Sequence, residues 1–95
     1  MTVIPPFSAP YLFSPNGDGN NDVWIVQNIT QYYDYQVVIY NRWGNVMRRY
    51  KNDFEPWEGK NRQGQDVPDG VYFYVIQTSV NDEPIELSGY VTVAR

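Results

Sequence analysis

The chain has 95 residues, and seven Lys and Arg against eleven Asp and Glu give it a formal net charge of −4. One short acidic domain of this kind is not expected to bind nucleic acid through a basic surface. It contains neither Cys nor His, which excludes disulfides, thiolate or imidazole metal sites, and Ser–His or Cys–His nucleophile pairs. Hydrophobic residues make up 42% of the chain, enough for a dense core.

Short apolar runs separated by turn residues predict an all-β protein with at most one helical turn. The first strand is predicted at residues 23–28, after a loop rich in Gly, Asn and Asp. Residues 4–13 contain three prolines, which lack a backbone donor. Any strand pairing there is therefore expected at the edge of a sheet.

Two hairpins are predicted further along the chain. Residues 36–41 and 46–51 read as strands joined by a turn in which Gly44 takes a positive φ. Residues 71–80 and 85–94 form the second pair, around a turn at 81–84. Between the hairpins, residues 52–69 are expected to form a long connection that crosses between sheets and carries a short strand at 54–58.

The last hairpin shows the alternation of a strand with two distinct faces. Tyr72, Tyr74 and Ile76 share one face of its first arm, and Val91 and Val93 share one face of the second. About seven short strands in a chain of this length favour an immunoglobulin-like antiparallel β-sandwich, a single domain over residues 1–95.

The most unusual segment places Asn16, Asp18, Asn20 and Asp22 at alternating positions. An EF-hand is excluded because, counted from Asn16, Gly is missing at the sixth position and Glu at the twelfth. Asx turns before the first strand explain the pattern. The alternative is a calcium site of another type, built from these four oxygen donors. No other cofactor is expected.

Catalysis is not expected. Asp66 with Asp69, or Glu55 with Glu58, could be imagined as the carboxylate pair of a glycosidase, but charges three residues apart in a turn-rich segment are usually solvated. The serines lack a histidine base. We therefore predict that the chain is not an enzyme.

Nine Tyr, three Trp and four Phe cannot all lie inside so small a core. Trp43, in the turn of the first hairpin, and the tyrosines of residues 32–35 are the best candidates for exposed aromatic side chains, which suit interfaces. The alternative is that Trp43 folds back over the end of a sheet and the tyrosines cap the fold.

Five motifs occur together, in one order: FSPNGDGNND at residues 13–22, IYNRWGN at 39–45, WEG at 57–59, PDGVYFY at 68–74 and GYV at 89–91. Over residues 7–95 the chain resembles the gliding-motility-associated C-terminal domain, also called the type B sorting domain of the type IX secretion system. Glu58 departs from the family, in which Asp is commoner. Residues 57–74 alone also resemble the Ig-like module of flagellar hook-capping proteins.

The resemblance implies a non-enzymatic module at the C-terminus of a large exported protein of Bacteroidota, and the end of the chain at Arg95 fits that position. Its expected partners are the translocon and an outer-membrane protein of the SprF/PorP type. The upstream cargo would pass through the periplasm to the cell surface or the medium.

A sorting signal needs a surface that its receptor can bind. We expect that surface in the loop 16–22, in the turn of Arg42, Trp43 and Gly44, and in the last strand, with Gly89, Tyr90, Val91 and Arg95. An adhesive or carbohydrate-binding β-sandwich, stabilised by calcium, is the alternative function. A purely structural spacer is a third.

Overall fold

The protein is described by a computed structural model that covers residues 9–17, 22–32, 34–80 and 82–95. It forms five strands: β1 (Leu12–Phe13), β2 (Gln36–Tyr40), β3 (Val46–Lys51), β4 (Gly70–Val80) and β5 (Glu83–Val93). Ile29–Gln31 form a single 3-10 turn, and no α-helix occurs in these ranges. The prediction of an all-β protein is therefore confirmed. No helix of the described residues has the length and apolar content to cross a membrane.

The five strands make one mixed sheet in the order β1-β5-β4-β2-β3. Neighbours are antiparallel except at one edge, where β1 runs parallel to β5 with Leu12 opposite Thr92. The prediction of a purely antiparallel fold is wrong at this edge, because the pairing joins segments far apart in the chain that no turn signal connects. Residues 12–13 of the proline-containing segment lie at the edge of the sheet, as expected, while residues 4–8 lie outside the described residues.

Both predicted hairpins are confirmed. In the first, a bulge follows Ile39, and the Asn41 side chain accepts the backbone N–H groups of Trp43 and Asn45 at 3.0 and 2.9 Å. In the second, pairing extends to Val80 and Glu83, so the turn is tighter than predicted. Pro84 fits inside β5 because it lies beyond the two residues that pair with β1.

Within the predicted strands at residues 23–28 and 54–58, the described residues show isolated bridge positions: Trp24 pairs antiparallel with Trp57, and Gln27 is a bridge residue as well. Each backbone N–H of this pair donates to the carbonyl of the other, at 2.8 and 2.9 Å. Packing of the two indole rings against the core holds these residues in place, without a continuous ladder of strand hydrogen bonds. The apolar pattern of the sequence alone did not reveal this arrangement. The connection at 52–69 joins β3 and β4 of the same sheet, so the described residues do not confirm the predicted crossing between sheets.

The described residues thus show five strands in one sheet, and they do not confirm about seven strands or a sandwich. The core lies on one face of this sheet, where the predicted alternation of Tyr72, Tyr74 and Ile76 is confirmed. Trp24 and Trp57 cover that face, with Trp24 5.0 Å from Tyr74 and Trp57 5.8 Å from Tyr72 between ring centroids. Both indole N–H groups donate to backbone carbonyls, so burial leaves neither donor unsatisfied.

Candidate recognition surface

The turn of the first hairpin exposes the largest aromatic side chain on the surface. Trp43 is 71% exposed, and the Arg42 guanidinium lies 4.3 Å from the centroid of its ring. The predicted exposure of Trp43 is confirmed, and the ring does not fold back over the sheet. The same prediction is wrong for Tyr35, which is 5% exposed and belongs to the core, and Tyr33 lies outside the described residues. Gly44 has a φ of +85° with open space around it, so it serves the backbone conformation of the turn.

A second turn, at residues 61–65, repeats this geometry. Asn61 accepts the N–H groups of Gln63 and Gln65 at 3.0 Å each, as Asn41 does for Trp43 and Asn45. The third residue is Trp in the first turn and Gln in the second. Because Gln63 supports the same hydrogen bonds, the turn conformation does not require an indole at position 43.

A cleft of about 260 Å³ opens beside the first turn. Its walls come from that turn, from β3 and from the start of β4: Asn41, Arg42, Trp43, Met47, Pro68, Asp69, Gly70, Val71 and Tyr72. The Tyr72 hydroxyl donates to the Pro68 carbonyl at 2.6 Å, and burial raises the pKa of that hydroxyl. A cleft with aromatic walls, one cation and one carboxylate suits a side chain of a bound peptide.

The last strand separates its predicted recognition residues. Tyr90 is half exposed, on the face of the sheet opposite the core, while Val91 is fully buried in the core. Gly89 lies opposite Tyr74, and a Cβ at position 89 would stand 2.6 Å from the Tyr74 hydroxyl oxygen. The glycine therefore makes room for a core tyrosine.

Arg95 is held by several acceptors. Its guanidinium donates to the backbone carbonyls of Val67 and Gly59 and to the carboxylate of Asp69, and it lies 3.7 Å from Asp66. These contacts leave the side chain 24% exposed. They fasten the end of β5 to the connection that precedes β4. Asp66 and Asp69, considered above as an acid–base pair, both face this cation.

The loop for which a calcium site was the alternative hypothesis is described only in part. Asp18 and Asn20 lie outside the described residues; Asp22 accepts the Gly17 N–H at 3.0 Å, a contact expected of a polar turn. Among the described residues, no group of three or more acidic side chains could hold a metal ion.

Sequence reasoning missed the outer face of the sheet, where Val71, Phe73 and Tyr90 are exposed. The signal was present in β4, in which both phases of the alternation are apolar. A strand of that kind presents apolar side chains to both faces of a sheet.

A small β-domain with exposed aromatic side chains at a turn and on a sheet face is suited to contacts with another macromolecule. A family model described as the type IX secretion signal domain, CHU_C, matches residues 7–93, so the chain belongs to that family. The family suspected from the sequence is confirmed. A search of curated proteins finds no match. Membership makes the chain a sorting signal for type IX secretion, and it implies a protein exported to the cell surface or the medium.

Proposed function

We propose that this domain directs an attached cargo out of the cell by binding protein components of the type IX translocon while it is in the periplasm. The observation that carries the proposal is the family match, which spans residues 7–93. The domain acts by being bound and not by catalysis. An outer-membrane protein of the SprF/PorP type is the partner proposed from the resemblance.

The turn of Arg42, Trp43 and Gly44 is the proposed contact. The comparison of the two turns supports it, because the fold is served equally well by Gln63 in the place that Trp43 takes. Tryptophan and arginine are also the residues that most often dominate binding energy at interfaces. Arg42 is stacked on the ring, so the two side chains present one preformed surface.

A secretion assay tests the proposal. The chain is fused to the C-terminus of a fluorescent protein that carries a signal peptide, and the fraction in the medium is measured in hosts with and without a working type IX translocon. We expect export only with the translocon. Retention in the periplasm of both hosts would contradict the proposal and favour an adhesive function.

The turn is tested with Trp43→Gln, which places at position 43 the residue type found at the equivalent position of the second turn, Gln63. We expect export to fall while the purified variant keeps the melting temperature of the parent. Arg42→Ala is paired with Arg62→Ala, the equivalent position of the other turn. Unchanged export for Trp43→Gln and Arg42→Ala would remove this turn from the recognition surface.

We also propose that the Trp24–Trp57 bridge belongs to the second layer of an immunoglobulin-like sandwich of about seven strands. The mutual hydrogen bonds of the two tryptophans support this layer. In hydrogen exchange, amides of residues 23–28 and 54–58 should be protected as strongly as those of β2. Fast exchange everywhere except at Trp24 and Trp57 would limit the layer to one bridge.

A further inference from the structure

The face of the sheet opposite the core carries a continuous set of apolar side chains. The strand register places two rows of residues side by side on this outer face: Tyr40, Phe73 and Tyr90 in one, and Val71, Thr92 and Leu12 in the next. Val38, on the same face, is 2% exposed and lies outside the core cluster.

Seven large apolar side chains are exposed among the described residues, and six of them lie in or beside these rows. We call the six the apolar patch: Tyr11, Leu12, Trp43, Val71, Phe73 and Tyr90. Tyr11 reaches the patch through its ring, 6.3 Å from that of Tyr90, and Trp43 shares the walls of one cleft with Val71. Only Ile25 lies elsewhere. A concentration of this kind marks an interaction site more often than single exposed residues do.

The charges around the patch differ from those of the rest of the domain. Arg42, Arg49 and Lys51 are exposed at its border and form no ion pair with a described residue. On β5, Glu86 is held by the Gln77 amide at 2.8 Å. The two connections over the core, residues 22–35 and 52–69, carry two and five of the eleven carboxylates. On the side of β3, the border of the apolar patch is thus cationic, in a chain of net charge −4.

We propose that the outer face is the docking surface for a protein partner whose contact region is apolar at its centre and carries carboxylates at its rim. This inference rests on the proposed function, and it assigns the partner to the secretion machinery. Charge complementarity defines the rim, since Arg42, Arg49 and Lys51 are exposed and form no ion pair with a described residue. A protein is favoured over an anionic lipid surface because the chain as a whole is acidic, which repels such a surface.

The test uses the secretion fusion described above, with two independent variants. Phe73→Thr with Tyr90→Thr removes two rings from the patch and keeps residues that suit a strand. Arg49→Glu with Lys51→Glu reverses the charge of two residues at the border of the patch. Ile25→Thr and Arg62→Glu are the matched controls away from the outer face. We expect about a tenfold fall in exported fusion for each double variant and no change for the controls, since one lost hot-spot contact costs at least that much.

The outcomes separate the two proposals. If the parent fusion is not exported, the proposed function fails and this inference fails with it. If the parent is exported and both double variants are exported equally well, the outer face is not the docking surface, while the sorting function stands. If the Phe73→Thr/Tyr90→Thr variant does not fold, the Arg49→Glu/Lys51→Glu variant decides the question, because Arg49 and Lys51 are both exposed.

A vesicle assay decides between a protein and a lipid surface. The purified chain is sedimented with vesicles of phosphatidylglycerol and phosphatidylethanolamine. We expect it to stay in the supernatant. Sedimentation that both double variants abolish would overturn the assignment to a protein partner and make the outer face a membrane-binding surface.

Discussion

Arg95 contacts Asp69 through both its backbone and its side chain. The Arg95 N–H donates to one carboxylate oxygen of Asp69 at 3.0 Å, and the guanidinium donates to the other at 3.1 Å. Asp69 directly precedes Gly70, which pairs with Val93 at the same end of the sheet. The pair therefore closes the β4–β5 ladder, and the further bonds of the guanidinium to Gly59 and Val67 extend this closure to the connection over the core.

Replacement of Arg95 by Ala should lower the free energy of unfolding by about 1–3 kcal/mol, because it leaves two backbone carbonyls without their charged donor. Arg95→Lys should recover only part of the loss, since an ammonium cannot present the planar fork of donors. Urea unfolding measures both, with Arg62→Ala as the control. If Arg95→Ala were as stable as that control, the network would contribute nothing to stability.

Gly89 should not tolerate a side chain while Tyr74 is present. The Cβ of Gly89→Ala would lie 2.6 Å from the Tyr74 hydroxyl oxygen and 2.8 Å from its Cζ, so we expect a loss of about 1–3 kcal/mol. With Tyr74→Leu the additional cost of Gly89→Ala should shrink. Additive losses in this double-mutant cycle, measured by urea unfolding, would contradict the steric explanation.

The sequence could predict elements that local signals encode, but not contacts between residues far apart in the chain. The hairpins β2–β3 and β4–β5 followed from local signals, such as Gly44 between two apolar runs. The contacts of Arg95 with Gly59 and of Trp24 with Trp57 join residues more than 30 positions apart, so nothing local encodes them. The strand expected around Trp24 is not confirmed for the same reason, since distant partners decide the packing of its ring.

The candidate site likewise has a part that the sequence predicts and a part that only the fold reveals. Exposure of Trp43 was predictable, because a tryptophan between a turn Asn and a turn Gly has little to pack against. The two apolar faces of β4 were also predictable from its sequence, but the rows of the outer face were not, since they exist only once β1, β5, β4 and β2 are in register. Similarly, the motif led us to predict Gly89 as a recognition residue, but in the fold it adjoins the core residue Tyr74.

The two hypotheses for the loop at residues 16–22 predict different melting curves. If Asn16, Asp18, Asn20 and Asp22 hold calcium in the folded state only, the melting temperature should be higher with calcium than with a chelator. Asp22→Asn should then reduce the shift, and Asp34→Asn, outside the loop, should leave it intact. Identical curves in calcium and chelator would leave only the Asx-turn explanation.

Alkaline pH should destabilise the domain through its buried tyrosines. Tyr50 is packed against Phe54, with 4.9 Å between the ring centroids, and burial raises the pKa of its hydroxyl from 10.0 to about 12, although the nearby Arg48 opposes the shift. Burial also raises the pKa of Tyr72 and of Tyr74. The folded state therefore keeps these protons at a pH at which the unfolded chain releases them.

The sign of the effect follows from that difference. The stability that Tyr50 contributes is fully present below pH 10 and is lost as the pH rises through 12, by about 1–3 kcal/mol. Urea unfolding of the parent and of Tyr50→Phe at pH 8 and pH 11 measures it. The variant has no proton to lose at this position, so its stability should fall less between the two pH values. An equal fall in both proteins would mean that the Tyr50 hydroxyl ionises as readily in the folded state as in the unfolded chain, which its burial against Phe54 argues against.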